Sequence, residues 1–184
     1  GGTVESGQNL TVTSTSLENT NGLLKSQGLA TVNTGLFTNG IDGRVISADK
    51  LDLSATQLNN SGHIGSVGAM NASLTGLTQW GGAELVSTTQ LNLDLHNGEL
   101  VNAGVINAPL LTLDNLATIN NQHGEISSQN AFTLVAKNLD NSNGKLISNQ
   151  ALTLRVDQLL ANLKGHINAA SGIGDWSEGQ QLLE

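Results

Sequence analysis

The chain has 184 residues, 15 acids against 7 bases, a formal net charge of −8 and no cysteine. That excludes a disulfide scaffold, a thiolate metal site and a cysteine nucleophile. The lack of any run of Lys and Arg argues against nucleic acid as a partner, and no apolar run approaches the ~18 residues of a membrane-spanning helix.

Taken from the amino terminus, glycines open a unit at Gly2, Gly22, Gly43, Gly62, Gly82, Gly104, Gly124, Gly144 and Gly165. The spacing stays between 19 and 22 residues and defines nine units. Two residues after the glycine stand Val4, Leu24, Val45, Ile64, Ile106, Ile126, Leu146 and Ile167, with Leu85 offset by one. Alternating pairs follow: Leu10/Val12, Ala30/Val32, Leu51/Leu53, Met70/Ala72, Leu91/Leu93, Leu111/Leu113, Phe132/Leu134 and Leu152/Leu154. Each unit then has a late apolar residue, among them Leu17, Phe37, Leu58, Leu77, Leu139 and Leu159.

Side chains at i and i+2 share one face of a strand, so these residues face inward. Thr11, Thr31, Asp52, Asn71, Asn92, Thr112, Thr133 and Thr153, between them, face solvent. The spacing fails the i, i+3, i+4 template of a helix. Each unit therefore reads as a short strand, a longer strand through the alternating pair, and a third short strand or turn. A period of about 20 residues with this alternation is the signature of a solenoid. The expectation is an all-β, right-handed parallel β-helix of about nine coils, a rod of roughly 43 Å at ~4.8 Å per coil. Its inward side chains pack against neighbouring coils of the same chain.

Asparagines recur two residues after the late apolar position: Asn19, Asn39, Asn60, Asn102, Asn121 and Asn141. They are either turn residues, which tolerate the left-handed conformation, or a hydrogen-bonded ladder of stacked amides. The repeat weakens around Trp80 and its double glycine, and again from Ser171, where Ile173 can hold an inward position but Asp175 cannot. The domain reading is repeats over 2–170, with 171–184 a divergent last coil or the start of a cap. Trp80 and Trp176 sit where the repeat breaks, as binding anchors or as covers for irregular coils.

Units of the form G-x-[LIV]-x-S, then L-x-L, then L-x-N resemble the haemagglutinin repeats of filamentous haemagglutinin and of two-partner-secreted exoproteins, including those of contact-dependent growth inhibition systems. Gly43–Gly62 (GRVISADKLDLSATQLNNSG) and Gly124–Gly144 (GEISSQNAFTLVAKNLDNSNG) carry the resemblance best. It implies a chain exported through an outer-membrane two-partner-secretion transporter and displayed at the surface of a Gram-negative bacterium. A secretion domain and any toxin would lie outside this stretch. No residue here matches a toxin's catalytic motif.

The residues point to no chemistry of their own. His63 and His166 follow unit-opening glycines five coils apart, about 24 Å on stacking distance, too far to share a metal. His96 and His123 complete the set, and no HExxH or paired ligand spacing exists. Asp42, Asp52, Asp94, Asp114, Asp140 and Asp157 fall at different positions in their units and are expected to point from different faces. Glu125 and Lys145 share a position in adjacent coils and are expected to pair. No catalytic, cofactor-binding or metal-binding residue is assigned, no cofactor is expected, and the chain is read as no enzyme. The functional expectation is a structural shaft segment of a secreted filamentous adhesin or growth-inhibition exoprotein. The alternative is an adhesive module that itself binds a host or target-cell receptor or glycan. Neither nucleic acid nor membrane insertion is expected.

Overall fold

In the computed structural model the described residues are 1–172 and 181–183. They form one solenoid in which every strand pairing is parallel. The short strands are Thr3–Ser6, Leu23–Ser26, Arg44–Ser47, His63–Ser66, Glu84–Ser87, Val105–Ala108, Glu125–Ser128, the start of Lys145–Ala161, and His166–Ser171. They stack one rung on the next in that order. The predicted inward residues share one register column: Val4, Leu24, Val45, Ile64, Leu85, Ile106, Ile126, Leu146 and Ile167.

The second and third sides of a coil are a single strand in most turns, as in Ala30–Asn39, Leu51–Asn60 and Met70–Gln79. The corner between them shows as a slip in the alternation. In Ala30–Asn39 the buried residues are Ala30, Val32, Thr34, then Phe37 and Asn39. A spacing of three between Thr34 and Phe37 turns the chain while keeping both runs facing inward. The three-sided coil of the sequence reading is therefore present, with one corner made inside a continuous strand. About eight turns are seen where nine units were counted. The ninth unit contributes its first side, and Gln181–Leu183 pairs with Leu159–Ala161 on the third. Ile173, Asp175 and Trp176 lie outside the described residues.

Two assignments shift by one residue. Leu160, not Leu159, holds the late inward position: it pairs with Leu139 and is 1% exposed, while Leu159 is 36% exposed. The cause is one extra residue in that strand, opposite the step from Ala136 to Asn138. Likewise Ala83, not Gly82, opens its unit. The Ala83 carbonyl accepts from Val105 N, as the Gly104 carbonyl accepts from Glu125 N. Gly82 takes the left-handed position before it, at φ 84°.

The core is a column of aliphatic side chains running the length of the rod, with Phe37, Leu58, Ile64, Leu77, Leu85 and Ile106 each fully buried. Burying a side chain of this size contributes about 1.5–3 kcal/mol relative to leaving it exposed. A single coil would leave its backbone edges unpaired, so this burial stabilises only a stack.

Candidate functional site

Two polar columns run inside the rod at its corners. Ser26, Ser47, Ser66 and Ser87, and further along Ser128 and Ser148, close the short strands. Their hydroxyls donate to carbonyls of the turn that follows or of the turn one coil back, as Ser47 Oγ does to Lys50 O at 2.8 Å and to Gly28 O at 2.9 Å. At the opposite corner the asparagines form the ladder. Asn19 Nδ2 donates to Asn39 Oδ1, Asn39 to Asn60, Asn60 to Gln79, Gln79 to Asn102, Asn102 to Asn121, Asn121 to Asn141 and Asn141 to Asn162, all at 2.7–3.0 Å. The second hydrogen of each inner amide reaches a carbonyl at the start of a short strand, as Asn102 Nδ2 reaches Glu125 O at 3.2 Å. A buried amide left unpaired costs about 1–3 kcal/mol, so the column holds only if it is continuous. Gln79 and Asn162 are members that the asparagine spacing missed.

Between the ladder residue and the residue that opens the next unit, the corner loop varies in length. Two residues intervene at Thr20–Asn21, 122–123, 142–143 and 163–164, and one at Ser61 and Ala103. Three intervene at Gly40–Ile41–Asp42 and at Trp80–Gly81–Gly82. In every two- and three-residue corner the last residue is left-handed: Asn21, Asp42, Gly82, His123, Asn143 and Lys164. The one-residue drifts in the glycine spacing arise largely in these loops.

The two long corners stand on either side of the short one at Ser61. Between them lies a groove of about 520 Å³, lined by Ile41, Asp42, Gly43, Arg44, Ser61, Gly62, His63, Gly81 and Gly82. Ile41 is 68% exposed and Trp80, which starts the second long corner, is 57% exposed. Arg44, His63 and Glu84 are neighbours in one outward register column. His63 Nδ1 lies 2.6 Å from Glu84 Oε2. A Cβ on Gly65 would stand 2.6 Å from His63 Nε2, so the imidazole occupies the space that a side chain at position 65 would fill. The register partners Ile46 and Val86 do carry side chains there. A smaller recess of about 190 Å³ lies over the other short corner, at Ala103.

Elsewhere the surface is structural. Glu125 and Lys145 pair at 3.7 Å as expected, half exposed and worth about 0–1 kcal/mol. Asp94 and Asp114 were expected on different faces, but they are direct register partners, because the chain from Gly82 onward is offset. Asp94 Oδ1 accepts from His96 N and from Asn115 Nδ2, both at 2.9 Å. Those bonds, with the nearby His96 ring, hold the Asp94 carboxyl below its usual range against a small opposing effect of burial. Ser73 Oγ lies 2.8 Å from His96 Nε2, but His96 Nδ1 is 3.7 Å from Asp94 Oδ1, beyond hydrogen-bond reach. With His96 and Asp94 on open surface, these three fasten the left-handed bulge at His96–Asn97. Among the described residues no three of His, Asp and Glu gather as metal ligands, and no helix is long and apolar enough to cross a membrane.

A profile of the haemagglutinin repeat matches residues 1–55, 46–104 and 90–173. The chain belongs to the haemagglutinin-repeat family. Each match spans two to four coils, so the family's unit is a stretch of rod and not a closed domain. Over 134 residues, 71% of the chain, the sequence is 34% identical to Toxin CdiA of Escherichia coli. The chain spans 4% of that protein's length. No solved structure matches it.

Proposed function

We propose that this chain is a shaft segment of a secreted filamentous adhesin or contact-dependent growth-inhibition exoprotein. Its task is to hold distal binding or effector regions away from the cell. The observation that carries this reading is the uninterrupted inner column, apolar core and amide ladder alike, running from the first described coil to the last. A structure whose every coil pairs with the next has no joint at which to bend. Membership of the repeat family and the likeness to Toxin CdiA support export by an outer-membrane transporter and placement outside a Gram-negative cell. The same proposal takes residues 2–170 as the repeats and 171–184 as a divergent last coil or the start of a cap. Of the two, the in-register pairing of Gln181–Leu183 with Leu159–Ala161 favours the coil.

The test exchanges this segment, in the parent exoprotein, for an equal number of coils from another part of the same shaft. A spacer tolerates the exchange, so binding to target cells and effector delivery persist. Loss of either, with normal surface display, overturns the reading.

A further inference from the structure

We infer that this corner of the rod pairs with the same corner of a second copy of the chain, running antiparallel. The observation is the order of loop lengths along it. From Thr20–Asn21 to 122–123 the successive loops have two, three, one, three, one and two residues. Set against itself in reverse, with a two-fold axis between Ser61 and Trp80, the series is self-complementary: two faces two, three faces one, and one faces three. A two-fold interface presents the same patch from both sides, so its bumps and hollows must exchange under the rotation. Here they also match in size. The loop that starts at Trp80, 57% exposed, enters the groove of about 520 Å³ over Ser61 of the second copy. The loop with Ile41, 68% exposed, enters the smaller recess of about 190 Å³ over Ala103.

The charges change sign at the same axis. In the outward register column beside the corner, Arg44 and His63 stand on one side of it, and Glu84, Val105 and Glu125 on the other. Antiparallel pairing sets His63 of each copy opposite Glu84 of the other, and Arg44 opposite Val105 with an acid on either side, a complementary arrangement. Arg44 also lines the groove that receives Trp80, and a guanidinium against an indole face is favourable. Asp42 makes no ion pair among the described residues. Its loop is carried into a recess lined by His123 and Lys145 beside Glu125. Six corners at ~4.8 Å per step make a strip of about 24 Å. One edge of that length covers less than the ~800 Å² per partner of a stable complex, so the pairing is weak and concentration decides how much forms. This inference is independent of the shaft reading, which concerns the interior of the rod.

Sedimentation velocity of the full chain from about 5 to about 500 μM, at about 0.15 M salt, should show a monomer passing to a dimer. Small-angle scattering should show a thicker cross-section with little gain in length, since two antiparallel rods overlap almost fully. Trp80→Ala should weaken the dimer at least tenfold, whereas Lys164→Ala, far along the rod, leaves it unchanged. The charge test uses two further variants. His63→Glu sets one acid against another at Glu84, and Glu84→Lys removes the acid that faces His63, so each alone should self-associate at least tenfold more weakly. Mixed in equal amounts they restore an opposite pair at both places, and a mixed dimer should form. Damage to the fold cannot imitate that rescue, and unaltered circular dichroism confirms each variant. A monomer at every concentration, which leaves the corner to a partner of other chemistry, overturns the inference. So does a dimer of doubled length, a dimer indifferent to Trp80→Ala, or a mixture that associates no better than its components.

Discussion

Asn121 Nδ2 donates to Asn141 Oδ1 at 2.7 Å, and both side chains are fully buried. Asn121 Oδ1 in turn accepts from Asn102 Nδ2 at 2.7 Å, so one residue closes two rungs. Asn121→Ala strands a donor on one side and an acceptor on the other. The expected loss is about 2–4 kcal/mol in chemical denaturation. Asn162→Ala, at a half-buried member of the same column, should cost about 1 kcal/mol. Equal effects would mean that the bonds do not depend on burial and continuity.

The two adjacent leucines at the bulge make a sharper comparison. Leu160→Ala empties a buried position and should cost about 2–5 kcal/mol. Leu159→Ala, next to it but at the surface, should stay within about 1 kcal/mol. A reversal of this order in thermal melts would place the extra residue of that strand elsewhere.

Gly124 permits close stacking of successive corners. A Cβ there would lie 2.2 Å from Asn102 O, a backbone atom that cannot move aside. Gly124→Ala is expected to destabilise by about 1–3 kcal/mol. Gly81→Ala, where the nearest atom is 3.9 Å away, should be close to neutral. Denaturant midpoints of the two variants decide the matter.

Acid should weaken the rod in part through Asp140. Burial pushes this carboxyl up, but hydrogen bonds from the Ser142 hydroxyl and amide and from the Gln122 side chain outweigh it and hold it below its usual range. A carboxyl lowered in the folded state adds stability that is present above its unfolded value near 3.8. That stability disappears as pH falls through the folded value. Asp140→Asn should therefore flatten the fall in unfolding midpoint below about pH 4 relative to the parent chain. An identical pH profile for both chains would show that Asp140 is not coupled to folding.

Most of the interior was legible because a strand fixes the facing of every second residue, and Leu, Ile and Val announce the buried set. Leu91/Leu93 and Leu111/Leu113 were placed correctly despite the offset after Gly82. Polar interior positions were harder. Asn39 and Asn60 stood out by spacing, but Gln79 did not, since a longer amide serves the same geometry by a different letter. Position 83 was hidden because Gly82 fits the glycine pattern while meeting a different need, the left-handed turn. The groove was half legible. Trp80 marked the irregular coil, yet the recess depends on Ser61 being a shorter corner between two longer ones, which only the stacked rungs bring side by side. His63 was read only as a residue following a unit-opening glycine, too far from His166 to share a metal. The one hint of its fixed position was Gly65, two residues on, where neighbouring coils carry Ile46 and Val86.

The amide column has a direction: every Nδ2 or Nε2 points toward the later coils, and every side-chain oxygen toward the earlier ones. An exposed upper end therefore displays N–H groups, and an exposed lower end displays oxygens. Two such ends of the same kind cannot complete each other's hydrogen bonds, whereas unlike ends can. A shaft made this way is one-way, and any lengthening by end-on joining must proceed head to tail.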